Sequence, residues 1–200
     1  MTDPGPGGAD ARRALRADLR ARRQALPASL RMQAADSVAR HFHDATLPGG
    51  YVAGYWAMGG EVPLHVVQLR LRPDQVWCLP CLEDDGSLRF APWRPGDALV
   101  SNRFGIPEPD LAPDSRLDPR ELAVVLLPLV GFSAAGARLG MGGGYYDRSF
   151  AFRRQSAAPP RLVGVGYDFQ RVDGLQPKPW DVPLDAVLTE SGLHPCPAPG

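Results

Sequence analysis

The sequence is poor in the features that mark several common classes of protein. It has three cysteines in 200 residues, which is an odd number and too few for a disulfide framework, so we expect reduced thiols. No apolar run approaches the roughly 20 residues that cross a bilayer, and the first ten residues lack the apolar core of a secretory signal. These absences predict a cytoplasmic protein with no membrane segment.

Net charge is absent as well. The 22 basic and 22 acidic residues balance, so no overall field directs the chain toward nucleic acid or a membrane surface. Lys178 is the one lysine, and the other 21 basic residues are arginines. Any protein cation that contacts a phosphate should therefore be an arginine, whose planar fork suits phosphate and carboxylate oxygens.

Two patterns that can mark metal or redox sites are weak here. Cys78 and Cys81 have C-x-x-C spacing, but they close a strand-like segment and run into turn residues, whereas a thioredoxin-type motif opens a helix. His41 and His43 have a spacing that places their rings on different faces of a helix. We predict neither a redox centre nor a zinc site.

The most informative stretch is a glycine loop, defined here as residues 136–147. It follows the apolar run 122–130 and precedes the helix-like residues 145–154. Its clustered glycines would let a ligand approach the backbone, and amides that lead into a helix N-terminus favour an anion. The loop lacks the Gly-Lys-Ser/Thr of a Walker A sequence, and Tyr145 replaces the third glycine of a dinucleotide fingerprint. A tight turn without a ligand is the alternative interpretation.

Two charged residues flank these glycines. Arg138 at the entrance can contribute a permanent cation, and Asp147 past the last glycine offers a hard oxygen ligand for Mg²⁺. The loop thus predicts a phosphate site with a cation and a metal ligand beside it.

The first helix carries basic residues along one side. Asp10 can cap a helix that begins at Ala11 and runs, with a break at Pro27, to about His43. Leucines recur at helical spacing for burial, namely Leu15, Leu19, Leu26 and Leu30, and Arg12, Arg16, Arg20 and Arg23 form a second stripe. The arginine stripe is either a solvated face or a phosphate-binding surface.

The remaining segments alternate between strand and helix patterns. Glu61 follows the buried strand 51–57 and precedes a helix at about 64–72, where it is either a ligand contact or a first-turn acid. A second strand is expected at 76–79, and shorter strands at 88–91 and 98–100 form an antiparallel insertion. The loop 111–120 leads to an apolar central strand at 122–127. Strands at 161–167 and within 180–190 complete the pattern.

This order predicts an α/β fold, a three-layer sandwich with a mostly parallel twisted sheet and a small antiparallel insertion. The ligand cleft should lie at the carboxyl ends of the strands, beside the glycine loop. We expect a disordered leader at 1–10, a single domain at 11–190 and a tail at 191–200.

The string Arg-Leu-Gly-x-Gly-x-Gly-Tyr-Tyr-Asp, preceded by Leu-Pro-Leu-Val-Gly-Phe, resembles the signature of the 5-formyltetrahydrofolate cyclo-ligase family. The resemblance covers nearly all of residues 11–190. It implies an enzyme that uses ATP and Mg²⁺ to convert 5-formyltetrahydrofolate to 5,10-methenyltetrahydrofolate, with release of ADP and phosphate. A folate and ATP are then the expected small-molecule partners, with no nucleic acid, membrane or obligate protein partner.

The resemblance also implies roles for individual residues. Arg12 and Arg16 match a basic pair of the family's first helix, with Arg12 where lysine is usual. Trp93 and the segment 104–109 resemble parts that close over the substrate, although an aromatic in a hairpin can also be plain packing. Asp181 and Asp185 resemble the family's D-x-x-x-D element, in which the first acid helps to hold the metal, although aspartates beside proline are also ordinary turn formers.

The implied site falls into four groups. Arg138 and Tyr145 are the expected catalytic residues, and Asp147 and Asp181 the expected metal ligands. The expected ATP-binding residues are Arg12, Arg16, Arg138, Gly140, Gly142, Gly143, Gly144, Tyr145 and Tyr146. The expected folate-binding residues are Glu61, Trp93, Gly142, Gly143 and Tyr145.

Two other functions stay open at this point. One is a different small-molecule phosphotransferase built on the same glycine loop. The other is a folate- or RNA-binding protein without catalytic activity that uses the arginine stripe, although neither the net charge nor an aromatic-basic array favours RNA.

Overall fold

The computed structural model describes residues 8–197, in which helices and strands alternate. No helix in this part of the chain is long and apolar enough to cross a membrane. The helices are α1 (Ala9–Ala25), α2 (Ala28–Asp44), α3 (His65–Leu69) and α4 (Tyr145–Ser149). The strands are β1 (Gly50–Ala53), β2 (Gln75–Leu82), β3 (Leu88–Pro92), β4 (Leu99–Ser101), β5 (Pro107–Pro109), β6 (Leu122–Pro128), β7 (Gly131–Phe132), β8 (Arg138–Leu139), β9 (Arg161–Val165), β10 (Ala186–Thr189) and β11 (Gly192–Pro195).

Seven of these strands form one sheet in the order β11-β10-β9-β6-β1-β2-β3. The five inner strands are parallel, and both edge strands pair antiparallel with their neighbours. Two small antiparallel sheets, β4-β5 and β7-β8, stand beside it. The predicted α/β fold with a mostly parallel sheet is therefore confirmed.

The central strand β6 is buried on both faces, as its unbroken apolar run predicts. Val124 and Leu126 join the core on one face, Val125 and Leu127 join the core on the other, and none of the four is more than 1% exposed. A strand inside a parallel sheet has no solvent-facing side, so polar alternation is absent from its sequence.

The two faces of the sheet are covered by different structures. Helices α2 and α3 cover one face, where Val38, Phe42 and Val67 pack against the strands. The other face is covered by Phe150, which follows α4, and by Val182 and Leu184 of the loop before β10. Short elements therefore form the third layer, and they bring the glycine loop close to the edge of the sheet.

Helix α1 packs outside these layers. Its buried Leu19 contacts Val130, Leu139 and Leu175, so the helix lies over the β7-β8 hairpin. The predicted break at Pro27 is confirmed, since α2 starts after that residue. The start of α1 differs from the prediction: the Arg12 amide donates to the Gly8 carbonyl, so Asp10 lies in the first turn and does not cap the helix.

Several predicted boundaries shift. Strand β1 ends at Ala53, whereas β2 continues to Leu82 because it pairs with β3 along that whole length. Strand β11 lies within the predicted tail, where pairing with β10 orders a segment that has no strand pattern of its own. Residues 1–7 of the predicted leader and residues 198–200 of the tail lie outside the described residues.

Asp185, the second acid of the D-x-x-x-D element, makes contacts that support the fold. Its carboxylate accepts two hydrogen bonds from Arg153 Nη2, at 2.8 and 2.9 Å, and one from the Leu162 amide at 2.6 Å. Arg153 follows α4, Leu162 lies on β9 and Asp185 precedes β10. This carboxylate therefore fixes the short third layer to the parallel sheet.

We expect Asp185→Ala to lower the free energy of unfolding by about 3–5 kcal/mol, because it leaves the Arg153 guanidinium buried without its partner. The Arg153 side chain is 6% exposed in this pair. The measurement is urea denaturation, with Asp173→Ala as the control.

The control residue also belongs to an ion pair, with Arg171 at 3.6 Å, but its side chain is 94% exposed. Its removal should therefore change the unfolding free energy by less than about 0.5 kcal/mol. Equal effects of the two substitutions would show that Asp185 contributes no more than an ordinary surface acid.

Candidate functional site

The glycine loop begins in a hairpin, not at the end of a strand of the main sheet. Its first residues include β8, which pairs with β7, and its last residues enter α4, a helix of five residues. The predicted order of strand, loop and helix is thus too simple, because the chain turns back once before it reaches the glycines. A single helical turn adds little macrodipole, so anion binding here must rely on side chains and loop amides.

Arg138 on β8 is the central cation of the site. Its Nη2 lies 2.5 Å from Asp147 Oδ1, and its Nε donates to the Val182 carbonyl at 3.3 Å. The Val182 amide donates to the same Asp147 oxygen at 3.0 Å. Arg138 is 7% exposed. The predicted entrance cation and the predicted metal ligand are therefore direct partners, joined to the residue that follows Asp181.

Helix α1 brings Arg16 to the glycine loop and Arg12 to the segment that carries Asp181. Arg12 Nη2 lies 3.6 Å from Asp181 Oδ2, and its Nη1 donates to the Gln176 carbonyl at 2.9 Å. Arg16 Nε donates to the Gly140 carbonyl at 2.8 Å. Burial and the charge of Arg12 both lower the pKa of Arg16, which indicates that the two cations are close. The solvated-face interpretation is thus wrong for this end of the stripe.

One nitrogen of the Arg12 side chain is unusual. Nε is buried and has no hydrogen-bond partner among the described residues. An orphaned buried donor costs free energy unless a ligand or water satisfies it. Around this atom, Arg12, Arg16 and Arg138 outnumber the two carboxylates of Asp147 and Asp181, so the site carries excess positive charge suited to a polyanion.

At the other end of the arginine stripe on α1, Arg23 contacts Glu61. Arg23 Nη1 lies 3.5 Å from Glu61 Oε1, its side chain is 3% exposed, and it also donates to the carbonyls of Gly59 and Leu129. The Met58 amide donates to the other oxygen of Glu61 at 3.0 Å. Burial raises the pKa of Glu61 despite the Met58 hydrogen bond and the charge of Arg23. A buried, electrostatically perturbed acid of this kind is typical of a functional site.

Three tyrosines surround this acid. The charge of Glu61 helps burial to raise the pKa of Tyr55, Tyr146 and Tyr167, while Arg138 opposes the rise at Tyr146. The charges of Glu61 and Arg138 thus both act on Tyr146. Tyr167 donates to the Gly60 carbonyl at 3.0 Å and holds the Glu61 loop in place. Helix α1 connects the predicted folate residue Glu61, through Arg23, with the predicted phosphate residues Arg16 and Arg12.

Trp93 lies in a different environment from the glycine loop. Its ring packs edge-on against Trp56 with centroids 6.0 Å apart, its Nε1 donates to the Asp97 carbonyl, and it packs, partly buried, against the core under α2 and α3. The aromatic that reaches the loop is Phe104, whose ring centroid lies 6.0 Å from that of Tyr145. Phe104 is 53% exposed. Residue-level reasoning missed it, although it begins the 104–109 segment expected to close over the substrate.

The glycines of the loop differ in what a side chain would meet. A Cβ at Gly140 or Gly142 would have no atom within 4 Å, so the space above them is open. A Cβ at Gly143 would lie 2.5 Å from the Tyr145 ring. A bulky residue at position 143 would thus displace Tyr145 before it reached any ligand, and Gly140 is the better position at which to test the open space.

The described residues contain no cluster of three or more His, Cys, Asp and Glu side chains that could hold a metal ion alone. Mg²⁺ needs fewer protein ligands when a bound nucleotide supplies phosphate oxygens. Asp147 and Asp181 flank the arginines, and they fit such a shared site. Cys78 and Cys81 are buried within β2, and burial raises their pKa to about 12 and about 11, so neither is a ready thiolate.

Comparisons with known proteins identify the family of this chain. Residues 9–190 match the 5-formyltetrahydrofolate cyclo-ligase family. The chain belongs to this family. The 5-formyltetrahydrofolate cyclo-ligase of Escherichia coli K12 is 38% identical over 148 residues, which cover 70% of this chain and 78% of that protein.

A second relative and a solved structure extend the similarity to most of the chain. The 5-formyltetrahydrofolate cyclo-ligase of Haemophilus influenzae is 33% identical over 183 residues, which cover 88% of this chain and 96% of that protein. The 5,10-methenyltetrahydrofolate synthetase of Aquifex aeolicus has a TM-score of 0.74 at 26% identity, and the superposition covers 94% of both chains. The predicted family, fold and enzyme class, an ATP-dependent cyclo-ligase, are confirmed.

The raised pKa of Glu61 predicts how stability changes with pH in this cyclo-ligase. Above the ordinary value of 4.5, the folded protein keeps a proton that the unfolded chain has lost. Stability should therefore fall as pH rises through the window between 4.5 and the raised folded pKa. Glu61→Gln cannot titrate, so the stability of the wild type minus that of the variant should decline across this window.

Urea denaturation of both proteins at a series of pH values measures this difference. A difference that stays constant from pH 4.5 to 8 would show that the folded and unfolded states share one Glu61 pKa. A separate comparison of folate KM with ATP KM in Glu61→Gln tests the role in folate binding, because loss of a substrate contact should raise the first and leave the second nearly unchanged.

Proposed function

We propose that the glycine loop and its arginines bind the triphosphate of ATP, and that the adjoining surface at Glu61 binds 5-formyltetrahydrofolate. The chain then converts this folate to 5,10-methenyltetrahydrofolate with release of ADP and phosphate. The observation that carries the proposal is that Arg138 and Arg16 both contact the glycine loop, whose Gly140 faces open space, while Arg12 on the same helix as Arg16 contacts Asp181.

The chemistry explains why phosphate binding and folate binding must be adjacent. A formamide carbon is a poor electrophile, and N10 of the folate cannot close the ring while the formyl oxygen is the leaving group. Transfer of the γ-phosphoryl group of ATP to that oxygen converts it into a phosphate leaving group. N10 then attacks the activated carbon, the carbon–oxygen bond breaks, and phosphate departs.

The protein residues contribute positioning and charge stabilisation to these steps. Arg138 contacts Asp147 of the glycine loop, so it can neutralise charge on the transferred phosphoryl group. Glu61 can accept hydrogen bonds from the N–H groups of the pterin, and Tyr145 with Phe104 offers an aromatic wall. No nucleophilic side chain is required, because the substrate's own nitrogen closes the ring.

We propose Asp147 and Asp181 as the protein ligands of Mg²⁺. Each carboxylate already faces an arginine, and an Mg-nucleotide brings phosphate oxygens that complete the octahedron this ion prefers. When bound, Mg²⁺ supplies neutralisation of the triphosphate charge. We retain the cytoplasmic location expected from the sequence as a prediction that cell fractionation tests.

The direct test is an absorbance assay for methenyltetrahydrofolate. Mixing the protein with Mg²⁺, ATP and 5-formyltetrahydrofolate should produce the absorbance of the methenyl product, and omission of ATP should abolish it. A different phosphotransferase would consume ATP with another acceptor and give no methenyl product. A binding protein without activity would be stabilised by folate but would consume no ATP.

Gly140→Val tests whether the open space belongs to the nucleotide. The new side chain meets no protein atom within 4 Å and its backbone is not in the left-handed region, so the unliganded protein should melt at nearly the wild-type temperature. Bulk in the phosphate path should remove most of the thermal stabilisation by Mg-ATP and raise the ATP KM by about 10-fold or more.

The matched control is Ala135→Val, which adds a β-branched side chain at an exposed turn position of the β7-β8 hairpin. This variant should keep full protection by Mg-ATP. If Gly140→Val is protected to the same extent, the glycine loop is only a turn and the triphosphate lies elsewhere.

Asp181→Asn tests the metal assignment. Loss of one carboxylate charge should raise the Mg²⁺ concentration needed for half-maximal rate by about 10-fold at saturating ATP. The control is Asp173→Asn, whose side chain is 94% exposed. If Asp181→Asn has a normal Mg²⁺ requirement, Asp181 is not a metal ligand and its role is limited to the ion pair with Arg12.

A further inference from the structure

Trp180 is an exposed aromatic residue that neither the sequence patterns nor the site described above explains. Trp180 is 57% exposed, although burial of an indole ring is strongly favourable. It directly precedes Asp181, the partner of Arg12. Among residues 8–197, no second aromatic ring stacks on it, and its one recorded ring contact is the Lys178 ammonium, 5.0 Å from the ring centroid.

The backbone of Trp180 is held independently of its side chain. The Trp180 carbonyl accepts a hydrogen bond from Arg154 Nη1 at 3.2 Å, and the Asp181 amide donates to the Lys178 carbonyl at 3.0 Å. The Lys178 amide in turn donates to Asp181 Oδ2 at 2.9 Å. The indole is therefore presented on an ordered turn, and its removal should leave Asp181 in place.

The contacts of helix α1 give the site residues an order, and this order gives the triphosphate a direction. Arg23 contacts Glu61, Arg16 donates to the Gly140 carbonyl, and Arg12 at the start of the helix contacts Asp181. In the proposed function Glu61 marks the folate end, so Asp181 lies at the opposite end of this row. The γ-phosphate must point toward the folate, because it is the group transferred. The nucleoside end must then point past Asp181, toward Trp180.

We propose that the exposed face of Trp180 is the stacking platform for the adenine base, with Lys178 covering the other face. This inference rests on the proposed function and assigns a base-binding residue to the same site. Stacking on an indole requires only a flat π-system, so Trp180 contributes affinity for purine nucleotides in general and little discrimination among purines.

The test compares a nucleotide with an anion that has no base. For Trp180→Ala we expect a rise of about 10-fold in the ATP KM, with kcat and the folate KM nearly unchanged, since the lost contact is made equally in ground and transition states. Trp180→Phe should recover much of the loss. Inhibition by inorganic tripolyphosphate should be equal in wild type and Trp180→Ala, because this probe carries the phosphates alone.

Thermal stabilisation by Mg-ATP and by Mg-tripolyphosphate gives the same comparison without turnover. Equal protection of Trp180→Ala and wild type by Mg-ATP would overturn the stacking role. So would a parallel loss of protection by ATP and tripolyphosphate, because the residue would then act through the Asp181 turn. A wild-type protein that is protected by ATP yet forms no methenyl product would contradict the proposed function and leave the stacking comparison intact.

Discussion

The ion pair between Arg138 and Asp147 holds three distant parts of the chain together. Arg138 lies on the hairpin after the central strand, Asp147 lies in the helix after the glycine loop, and both bond to the backbone of Val182. Breaking a buried pair of this kind typically costs about 3–5 kcal/mol, because the remaining charge is left without a partner. The shape of the glycine loop therefore depends on a contact that can also respond to a bound anion.

Helix α1 makes a similar connection from outside the sheet. Its position is set by Leu19, which packs on the hairpin, and its arginines reach opposite ends of the site. Arg12 and Arg16 contact the phosphate end, and Arg23 contacts Glu61. One helix thus connects the proposed nucleotide end with the proposed folate end, so under the proposed function a displacement of α1 by either ligand would affect the other.

The arrangement also separates structural from functional carboxylates. Asp181 and Asp185 lie close together in one loop, but they have different partners. Asp181 faces Arg12 at the candidate site, and Asp185 faces Arg153 at the sheet. The buried Arg12 Nε has no partner, whereas the Arg153 guanidinium is fully engaged by Asp185 and the carbonyls of Pro160 and Ser156. Arg12 at the candidate site thus has a hydrogen-bond donor without a partner among the described residues, whereas Arg153, which supports the sheet, has partners for its donors.

The sequence by itself determined the α/β class, the central strand and the family. These features depend on local patterns: apolar runs such as 122–127, a break at Pro27, and the glycine-rich string of residues 136–147. The prediction that the loop binds an anion rests on the same string, because glycine content and flanking charge are local properties.

Only the tertiary structure decided which residues meet. Trp93 and Phe104 are both aromatic residues of the segment between β2 and β6, but Trp93 packs against the core under α2 and α3, whereas Phe104 contacts Tyr145. Arg12 and Arg20 share one helical stripe, but packing of α1 on the hairpin buries Arg12 and leaves Arg20 exposed. Such contacts join residues far apart in the chain, so no periodicity within one segment encodes them.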